Sequence, residues 1–335
     1  MSAQHVHVFI PELFRPLTLW QRDFAFKPEA DGVLALLVQA VRQPVLVSGW
    51  ERTLLHALGM EVSQQLPWAA LRYHMDTGQP SPLPLLCADP VVLQTGRDRI
   101  VIQPSAPVLP AREVQAVLSG LNRHLAHDGW QLLASHPERW YLQASGDTLP
   151  RALPRTTPIS DMGGKNILSC LPQADDKYWQ RLQDELQMLL YIDPVNQQRL
   201  TGVWFWGEGD MTPATVTPAI VYGGGAVGQV LARHAGCGWL GFPSVLGNET
   251  EGAGSPVFLL LDQLRLPALH DDPTAWQLAL HNIETGILPM INAALIKGAV
   301  VSVYDCAGSC WECRTLPAWQ FWKRKRGRWA DFLPG

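Results

Sequence analysis

The sequence is short of charge. Only 17% of its 335 residues are Asp, Glu, Lys or Arg, whereas about a quarter is usual in soluble domains. The 26 basic and 30 acidic residues leave a net charge of −4, so we do not expect a nucleic-acid-binding protein. Because 47% of the residues are hydrophobic, disorder is excluded as the dominant state and a large buried core is expected.

Segments that direct a chain to export or to a membrane are also lacking. The apolar run His5–Ile10 has no basic residues before it and stops at Pro11, which is unlike a secretory signal. The longest uncharged stretch, 211–232, contains prolines and three consecutive glycines that a lipid-exposed helix would not tolerate. We therefore expect a cytoplasmic protein without a membrane span, whose six cysteines are reduced thiols.

Catalytic motifs are scarce, and the one glycine motif has two interpretations. The ten histidines form no HExxH or HxxxH pattern, and no GxSxG is present. Gly223–Gly228 follows a strand-like segment and matches the GxGxxG of dinucleotide sites. The acidic residue expected about 20 positions later falls in the loop-like segment 247–255. A tight strand-to-helix turn would also use these glycines, so both interpretations stay open.

Cys306, Cys310 and Cys313 reproduce the CxxxCxxC spacing of radical enzymes that hold an iron–sulfur cluster. In those enzymes the motif comes early in the chain, whereas here only 22 residues follow it. A hairpin that carries incidental thiols is the alternative. We predict no metal site and no cofactor.

Hydrophobic periodicity predicts an α/β fold. Strand-like segments alternate with helical ones, which is typical of a mostly parallel sheet covered on both faces. The predicted strands lie at 5–10, 90–93, 100–103, 131–134, 140–143, 202–206, 219–222, 257–261 and 300–304, and the predicted helices lie around 34–41 and at 110–129, 176–192, 227–234 and 276–297. The Pro- and Gly-rich stretch 144–176 divides a single domain, residues 1–318, into lobes 1–150 and 151–318.

A basic, aromatic C-terminal tail is predicted at 319–335. Its five cations contrast with the net charge of the whole chain, and they could bind an acidic partner. These cations are Lys323, Arg324, Lys325, Arg326 and Arg328. The alternative is a solvated tail that its Trp side chains pin to the body of the protein.

Several segments between about residues 5 and 325 together resemble the bacterial RpfE-type regulatory proteins. The central ones are a helix with a QMLL core, a PVNxxR segment and a WxWGxG strand and turn. The matching segments are Cys87–Val91, Leu121-Asn122, Asp128-Gly129, Arg139–Leu142, Asp184–Leu190, Asp193–Arg199, Trp204–Gly209 and Trp319–Arg324.

That family is in turn similar to the archaeal-type, cofactor-independent phosphoglycerate mutases, and this implies an alkaline-phosphatase-like α/β fold with added β-hairpins. In those metalloenzymes the first strand ends in a metal-binding Asp, and a Ser or Thr nucleophile follows. Here the first strand ends in Pro11-Glu12, and no nucleophile can be assigned. The resemblance therefore implies a catalytically degenerate regulatory or ligand-binding protein. The alternatives are an active metal-dependent phosphotransferase and an adaptor that binds through the tail.

The PVNxxR and WxWGxG segments supply the predicted ligand-binding residues. Trp rings offer apolar area, and a guanidinium offers a fixed fork for a small anionic ligand. The residues are Asn196, Arg199, Trp204, Trp206, Gly207 and Gly209. The alternative is a core strand with both Trp side chains on one face and an Arg that caps the preceding helix. A protein partner is equally compatible with the sequence.

Overall fold

A computed structural model of the chain describes ten stretches of residues. They are 4–60, 67–96, 99–103, 107–146, 151–162, 165–173, 177–209, 219–242, 255–315 and 327–333. The chain divides into two compact units, the first formed by Met1–Val62 with Pro213–Gly335 and the second by Ser63–Thr212.

Strands and helices are numbered along the chain. The strands are β1 His5–Phe9, β2 Val41–Pro44, β3 Leu85–Val91, β4 Leu93–Thr95, β5 Ile100–Ile102, β6 Trp130–His136, β7 Arg139–Ala144, β8 Gly202–Trp206, β9 Ile220–Gly223, β10 Gly238–Leu240, β11 Val257–Leu260, β12 Val300–Tyr304 and β13 Ser309–Cys313. The helices are α1 Leu17–Phe24, α2 Asp31–Gln39, α3 Trp50–Ala57, α4 Trp68–Thr77, α5 Ala111–Leu125, α6 Tyr178–Ile192, α7 Gly225–His234, α8 Arg265–Leu269, α9 Pro273–Gly286 and α10 Leu288–Ile296.

The first unit is built on a seven-stranded sheet in the order β10-β9-β11-β1-β12-β13-β2. The five strands from β10 to β12 are mutually parallel, and β13 is antiparallel to both of its neighbours. Strands joined through helices give this arrangement, because a parallel neighbour needs a crossover connection. The prediction of an α/β fold with a mostly parallel, helix-flanked sheet is confirmed.

Alternation along β1 sends Val6 and Val8 into the main core of the first unit, where both are fully buried. Helices α1, α2, α9 and α10 cover this face of the sheet with apolar stripes that include Trp20, Leu37 and Trp276. The predicted helix 276–297 is two helices. The second begins at Leu288 with a proline in its first turn, where the missing N–H costs nothing.

On the opposite face of β1, His7 is mostly buried among aromatic rings. Its ring stacks on Phe258 with the centroids 4.6 Å apart, and its Nδ1 lies 3.1 Å from the hydroxyl of Tyr304. The central strand of the sheet thus carries a titratable group inside an aromatic cluster.

The second unit contains an antiparallel sheet in the order β6-β7-β3-β8, against which α5 and α6 pack. The predicted pair at 131–134 and 140–143 appears as the hairpin β6–β7. The other predicted hairpin begins later than expected, since residues 90 and 91 belong to β3 and only β4 pairs with β5.

Strand β6 ends this sheet on one side, and a side chain of α5 covers its outer edge. The amide of Asn122 donates to the carbonyl of Leu132 at 2.9 Å and accepts from its N–H at 2.7 Å. One Asn thus satisfies both backbone groups of an edge residue.

The boundary predicted near residue 150 coincides with neither junction between the two units, which lie near 62 and 212. The division into lobes 1–150 and 151–318 stays a prediction. Across the stretches that the structure describes, no helix is both long enough and apolar enough to cross a bilayer.

Candidate functional site

The carboxyl ends of several strands meet at one edge of the first unit's sheet. Strands β1, β11 and β12 are parallel, and β2 runs in the same direction because it is antiparallel to β13. Open α/β sheets bind ligands outside the carboxyl ends of their strands. The segments that follow these four strands, including the first turns of α3 and α8, carry the residues that we call the edge site, Glu12, Trp50, Glu51, Arg265, Asp305 and Cys306.

Two residues of the edge site have a strained backbone. Glu12 and Cys306 both lie in the left-handed region, with φ of 65° and 59°, although neither is glycine. They follow the neighbouring strands β1 and β12. The carbonyl of Cys306 accepts from the N–H of Gly49 at 3.0 Å, which ties this turn to the loop before α3. Strain of this kind persists only where the surrounding structure imposes it.

Burial and the surrounding charges set the pKa of the Cys306 thiol. Burial raises its pKa well above the usual value, and the carboxylates of Asp305, Glu51 and Glu12 raise it further, while Arg265 acts in the opposite direction. Three acids and one arginine therefore lie within electrostatic reach of one buried thiol. Since the thiolate is the reactive form of cysteine, Cys306 is not an activated nucleophile.

Two of these carboxylates are held by contacts within the protein. Arg15 donates to Glu12 Oε1 at 2.9 Å. The backbone N–H groups of Ala307 and Ser309 donate to Asp305 Oδ1 at 2.8 and 2.9 Å, which shapes the turn between β12 and β13. Burial raises the pKa of Asp305, and these hydrogen bonds oppose that effect.

Arg265 and Trp50 form the other half of the edge site. The guanidinium carbon of Arg265 lies 5.1 Å from the centroid of the Trp50 ring. Trp50 is 4% exposed, and its indole N–H is buried without a hydrogen-bond partner in the part of the chain that is described. In that same part Arg265 forms no ion pair, and its side chain is half-buried.

A two-metal centre of the kind implied by the sequence resemblance does not fit these residues. Such a centre needs several ligands held together. Glu12 already accepts from a guanidinium, and Asp305 accepts from two backbone amides. Within the ten described stretches, no three His, Cys, Asp or Glu side chains are grouped so that they could hold a metal ion.

The predicted ligand-binding residues lie in the second unit, apart from the edge site in the chain. Asn196 is fully buried, and its amide donates to the carbonyls of Leu190 and Leu200, both at 2.8 Å. Its side-chain oxygen accepts from the N–H of Leu200 at 3.0 Å. Asn196 therefore closes the loop that joins α6 to β8.

Arg199 also makes internal contacts. Its guanidinium pairs with Glu113 at the start of α5 and donates to the carbonyls of Val195, at 2.7 Å, and Asn196, at 3.1 Å. These bonds link α5 to the end of α6. This is close to the alternative of a capping Arg that the sequence left open.

The WxWGxG segment packs against the start of α4. Trp206 donates to Asp89 at 2.7 Å, and Trp204 donates to the carbonyl of Thr157 at 2.9 Å.

The glycines of the turn are constrained by packing and backbone conformation. The carbonyl of Gly207 accepts from the N–H of Ala69 at 2.9 Å. Gly207 has φ of 82°, and a Cβ there would lie 2.7 Å from the Cβ of Trp68. Gly209, with φ of 142°, also has a positive φ.

Each of these residues thus has a structural use, and ligand binding by this segment stays a prediction.

No sequence motif indicated the ion pair beneath this segment. Arg72 donates to both carboxylate oxygens of Asp89, at 2.8 and 2.7 Å, and to the carbonyl of Trp140 at 3.0 Å. Its guanidinium lies 4.9 Å from the Tyr141 ring centroid and 5.3 Å from that of Trp206. Burial alone would lower the pKa of Arg72, but the charge of Asp89 raises it well above the usual value. The ADPV, RWYL and WxWG segments meet around this pair, whereas no motif marks Arg72.

The glycine motif after β9 is explained by close packing. A Cβ on Gly223 would lie 2.3 Å from the ring of Phe242, and one on Gly228 would lie 2.3 Å from the carbonyl of Gly223. Gly223 also has a positive φ, 77°. These contacts support the interpretation as a tight strand-to-helix turn.

The three cysteines of the CxxxCxxC spacing point in different directions. Cys313 packs into the main core of the first unit, Cys310 interacts with Tyr304, and Cys306 lies at the carboxyl edge. Burial raises the pKa of Cys310 to about 11 and that of Cys313 to about 12. Successive side chains of a strand alternate between faces, which separates Cys310 from Cys313.

Most of the basic tail, including Lys323, Arg324, Lys325 and Arg326, lies outside the described residues. Arg328 is described, and its exposed guanidinium lies 3.5 Å from Asp331. Residues 327–333 also contact the core, since the ring of Phe332 stacks on Phe14 with the centroids 5.8 Å apart. The end of the predicted tail is therefore packed against the first unit.

Comparison with known proteins adds two distant likenesses. No known protein family and no curated protein matches this sequence. PH0037 protein from Pyrococcus horikoshii is similar in structure, with a TM-score of 0.49 and 11% identity, over 94% of this chain and 88% of that chain. The cofactor-independent phosphoglycerate mutase from Thermoplasma acidophilum is similar with a TM-score of 0.37 and 12% identity, over 93% and 89% of the two chains. At these scores neither likeness carries an argument about function, which must come from this chain's own residues.

Proposed function

We propose that the protein is a ligand-binding regulatory protein of the RpfE type, built on a phosphoglycerate-mutase-like α/β scaffold that no longer catalyses phosphoryl transfer. The observation that carries this proposal is the state of the acids at the carboxyl edge. In the enzymes that the sequence resembles, the first strand ends in a metal-binding Asp. Here that place is taken by Glu12, in a strained backbone conformation and held by Arg15.

The physical reason is competition for the carboxylate oxygens. A divalent ion at this edge would have to displace the guanidinium of Arg15 from Glu12 and the two backbone amides from Asp305. The two backbone hydrogen bonds to the Asp305 carboxylate each contribute about 1.5–3 kcal/mol, and the exposed Arg15–Glu12 pair contributes about 1 kcal/mol or less, so most of the cost lies at Asp305. The acids of the edge site therefore do not offer the free ligand set of a two-metal enzyme.

An assay of phosphoglycerate interconversion tests this proposal. The purified protein is incubated with 3-phosphoglycerate and manganese, and separately with 3-phosphoglycerate and chelator, and formation of 2-phosphoglycerate is followed. We expect no turnover in either sample. Turnover that requires manganese and stops with chelator would overturn the proposal and favour the phosphotransferase alternative.

The adaptor alternative depends on Lys323, Arg324, Lys325, Arg326 and Arg328. Because residues 327–333 pack against the core, deleting the tail would confuse binding with folding. Replacing the four cations at 323–326 by Gln leaves that packing in place. An acidic partner would then lose its salt-sensitive binding, while the melting temperature stays constant.

A further inference from the structure

We propose that a groove in the second unit, between α6 and the β4–β5 hairpin, binds a cationic amphiphile, which is a small molecule with an apolar body and an ammonium group. We call it the α6 groove. Its volume is about 730 Å³, which lies within the range of about 300–1,000 Å³ that is usual for small-molecule sites. The inference goes beyond the proposed function, because the residues of the groove lie outside the edge site.

The walls of the α6 groove are mostly apolar. They are formed by residues of α6, of β4 and β5, and of the loop that precedes β8. The apolar side chains among them include Leu93, Ile100, Met188, Leu189, Ile192 and Leu200. An apolar body that fills this space would remove hydrocarbon surface from water, which is the main favourable contribution to its binding.

Part of this apolar surface is exposed to solvent. Met188 and Ile192 lie four residues apart on α6, so their side chains are neighbours on the helix surface, and they are 69% and 71% exposed. Tyr191, beside them, is 64% exposed. Isolated apolar side chains are normal on a protein surface, whereas a group of them marks an interaction site.

The loop that forms one wall has a strained backbone and a fixed end. Gln197 and Gln198 both lie in the left-handed region, with φ of 50° and 60°, and Gln198 lines the groove. Such strain is found at ligand sites because it holds the backbone in one conformation. At the end of the loop, the hydroxyl of Thr201 accepts from the N–H of Leu93 at 2.6 Å. The groove is therefore preformed, which lowers the cost of ordering its walls around a ligand.

The charged residues that line the groove are acidic. Asp184 and Glu185 belong to its wall, and none of its described lining residues is Lys or Arg. Glu185 is already engaged, since it lies 3.0 Å from Nε2 of His124 and 3.4 Å from Nε of Arg181. Asp184 is exposed and forms no ion pair within the described stretches. A carboxylate beside an apolar space selects a ligand with a positive head and disfavours an anionic one.

The position of Asp184 suits a single ligand that meets both the charge and the apolar wall. Asp184, Met188 and Ile192 follow one another at intervals of four residues, so they lie along one side of α6. At the rise of an α-helix, the first and last of them are about 12 Å apart along its axis. An amine with two fused rings can therefore place its ammonium group near Asp184 while its rings cover Met188.

Calorimetric titration of the full-length protein with three probes that share one body tests the inference. The probes are 2-(1-naphthyl)ethylamine, which is a cation at neutral pH, the uncharged 2-(1-naphthyl)ethanol and the anion 1-naphthaleneacetate. We expect the amine to bind at millimolar concentration or more tightly. Its affinity should be about threefold above that of the alcohol and about tenfold above that of the carboxylate.

Two substitutions at exposed positions separate the contributions of charge and apolar contact. Asp184→Asn should lower the affinity for the amine by about threefold, to that for the alcohol, and leave the affinity for the alcohol unchanged. Met188→Gln should weaken binding of both the amine and the alcohol by about threefold to tenfold, because it replaces apolar surface of the wall. Since both side chains are exposed on a helix, the melting temperature should stay constant.

The chain offers a matched control for each substitution. Glu138→Gln removes an exposed carboxylate of the same unit, in the turn between β6 and β7. Leu278→Gln replaces an apolar side chain of α9 that is 61% exposed. Neither residue lines the groove, so both controls should change the affinities by less than about twofold.

Four results would overturn the inference. The first two are no binding of the amine at millimolar concentration and an affinity for the carboxylate that equals or exceeds that for the amine. The third is an affinity for the amine that Met188→Gln leaves unchanged. The fourth is a dimer in sedimentation equilibrium that Met188→Gln dissociates, because a second copy of the chain would then occupy this face. None of these results depends on phosphoglycerate turnover, so the inference and the proposed function can fail separately.

Discussion

Arg72 and Arg265 both lie over tryptophan rings, and they differ in what their donors do. In the second unit Arg72 lies 5.3 Å from the ring centroid of Trp206 and bonds to both oxygens of Asp89. In the first unit Arg265 lies 5.1 Å from that of Trp50 and forms no ion pair within the described stretches. The ring contact is the same. The difference is that the donors of Arg72 are used by an ion pair that holds the fold together, whereas those of Arg265 are not used by an ion pair within the described stretches.

The two units also bury their titratable groups differently. The second unit buries a charged pair, which is costly to desolvate and therefore depends on both partners. The first unit buries His7 in its neutral form. Stability should consequently respond to a lost partner in the second unit and to acid in the first.

The largest effect is expected from Asp89→Ala. This change leaves the charge of Arg72 buried without its partner and removes the acceptor of the Trp206 N–H. We expect the free energy of unfolding of the second unit to fall by about 3–5 kcal/mol, measured by urea denaturation. The double variant Arg72→Met with Asp89→Leu should recover part of this loss. If Asp89→Ala costs no more than a surface substitution, the ion pair does not support the fold.

Gly207→Ala should have the next largest effect. The new Cβ would lie 2.7 Å from the Cβ of Trp68, and the residue would have to keep a φ of 82°. Strain and overpacking together should lower the free energy of unfolding by about 3 kcal/mol. Gly146→Ala is the control, since a Cβ there meets nothing within 4 Å and φ is not positive. Equal stability of the two variants would contradict the packing described for the WxWGxG turn.

A smaller effect is expected from acid, through His7. Burial lowers the pKa of His7 from 6.5 to about 4, with a further contribution from His5. Between these values the unfolded chain binds a proton that the folded protein does not, so stability falls as the pH drops below 6.5. From pH 7 to pH 5 this amounts to about 2 kcal/mol. Denaturation curves of the wild type and His7→Phe at both pH values should show that the free energy of unfolding depends less on pH in the variant. The same pH dependence in both proteins would contradict a lowered pKa of His7 as the cause.

The smallest effect on stability is expected from Arg265→Gln. The side chain is half-buried and loses only a cation–π contact with Trp50, worth about 1 kcal/mol or less. Thermal melting without ligand should therefore hardly change. A loss as large as that of Asp89→Ala would mean that Arg265 holds the fold together, and the contrast between the two arginines would disappear.

The elements that local patterning decides were predictable from the sequence. Helix α5 begins just after Pro110 and presents Val114, Leu118 and Leu121 as one apolar stripe, and strand β12 has the predicted bounds. Strands β2 and β10 were missed. The four residues of β2 are all exposed, so no apolar alternation reveals them, and only pairing with β13 makes them a strand. That pairing joins residues far apart in the chain.

The candidate site was less predictable for the same reason. Motifs pointed to Trp204, Trp206 and Arg199, which are used by internal contacts, because large and charged side chains serve cores as well as ligands. The edge site consists of one or two residues after each of four strands, and only the order of the strands brings them to one edge. Glu12 drew attention in the sequence only because the first strand ends in Pro11-Glu12 and not in a metal-binding Asp. Nothing local marked Trp50 or Arg265.

The two hydrogen bonds between the Asn122 side chain and the backbone of Leu132 suggest how this protein avoids aggregation. An uncovered edge strand offers its backbone as a template for a strand of another chain. Asn122 occupies both backbone groups of Leu132 in the middle of β6, as a neighbouring strand would. An incoming chain would have to displace this side chain before it could add to the sheet. Asn122 would then protect the edge of the sheet from edge-to-edge aggregation. Loss of its side chain should increase the rate at which turbidity develops in concentrated solutions, before any change in the folded structure is detected.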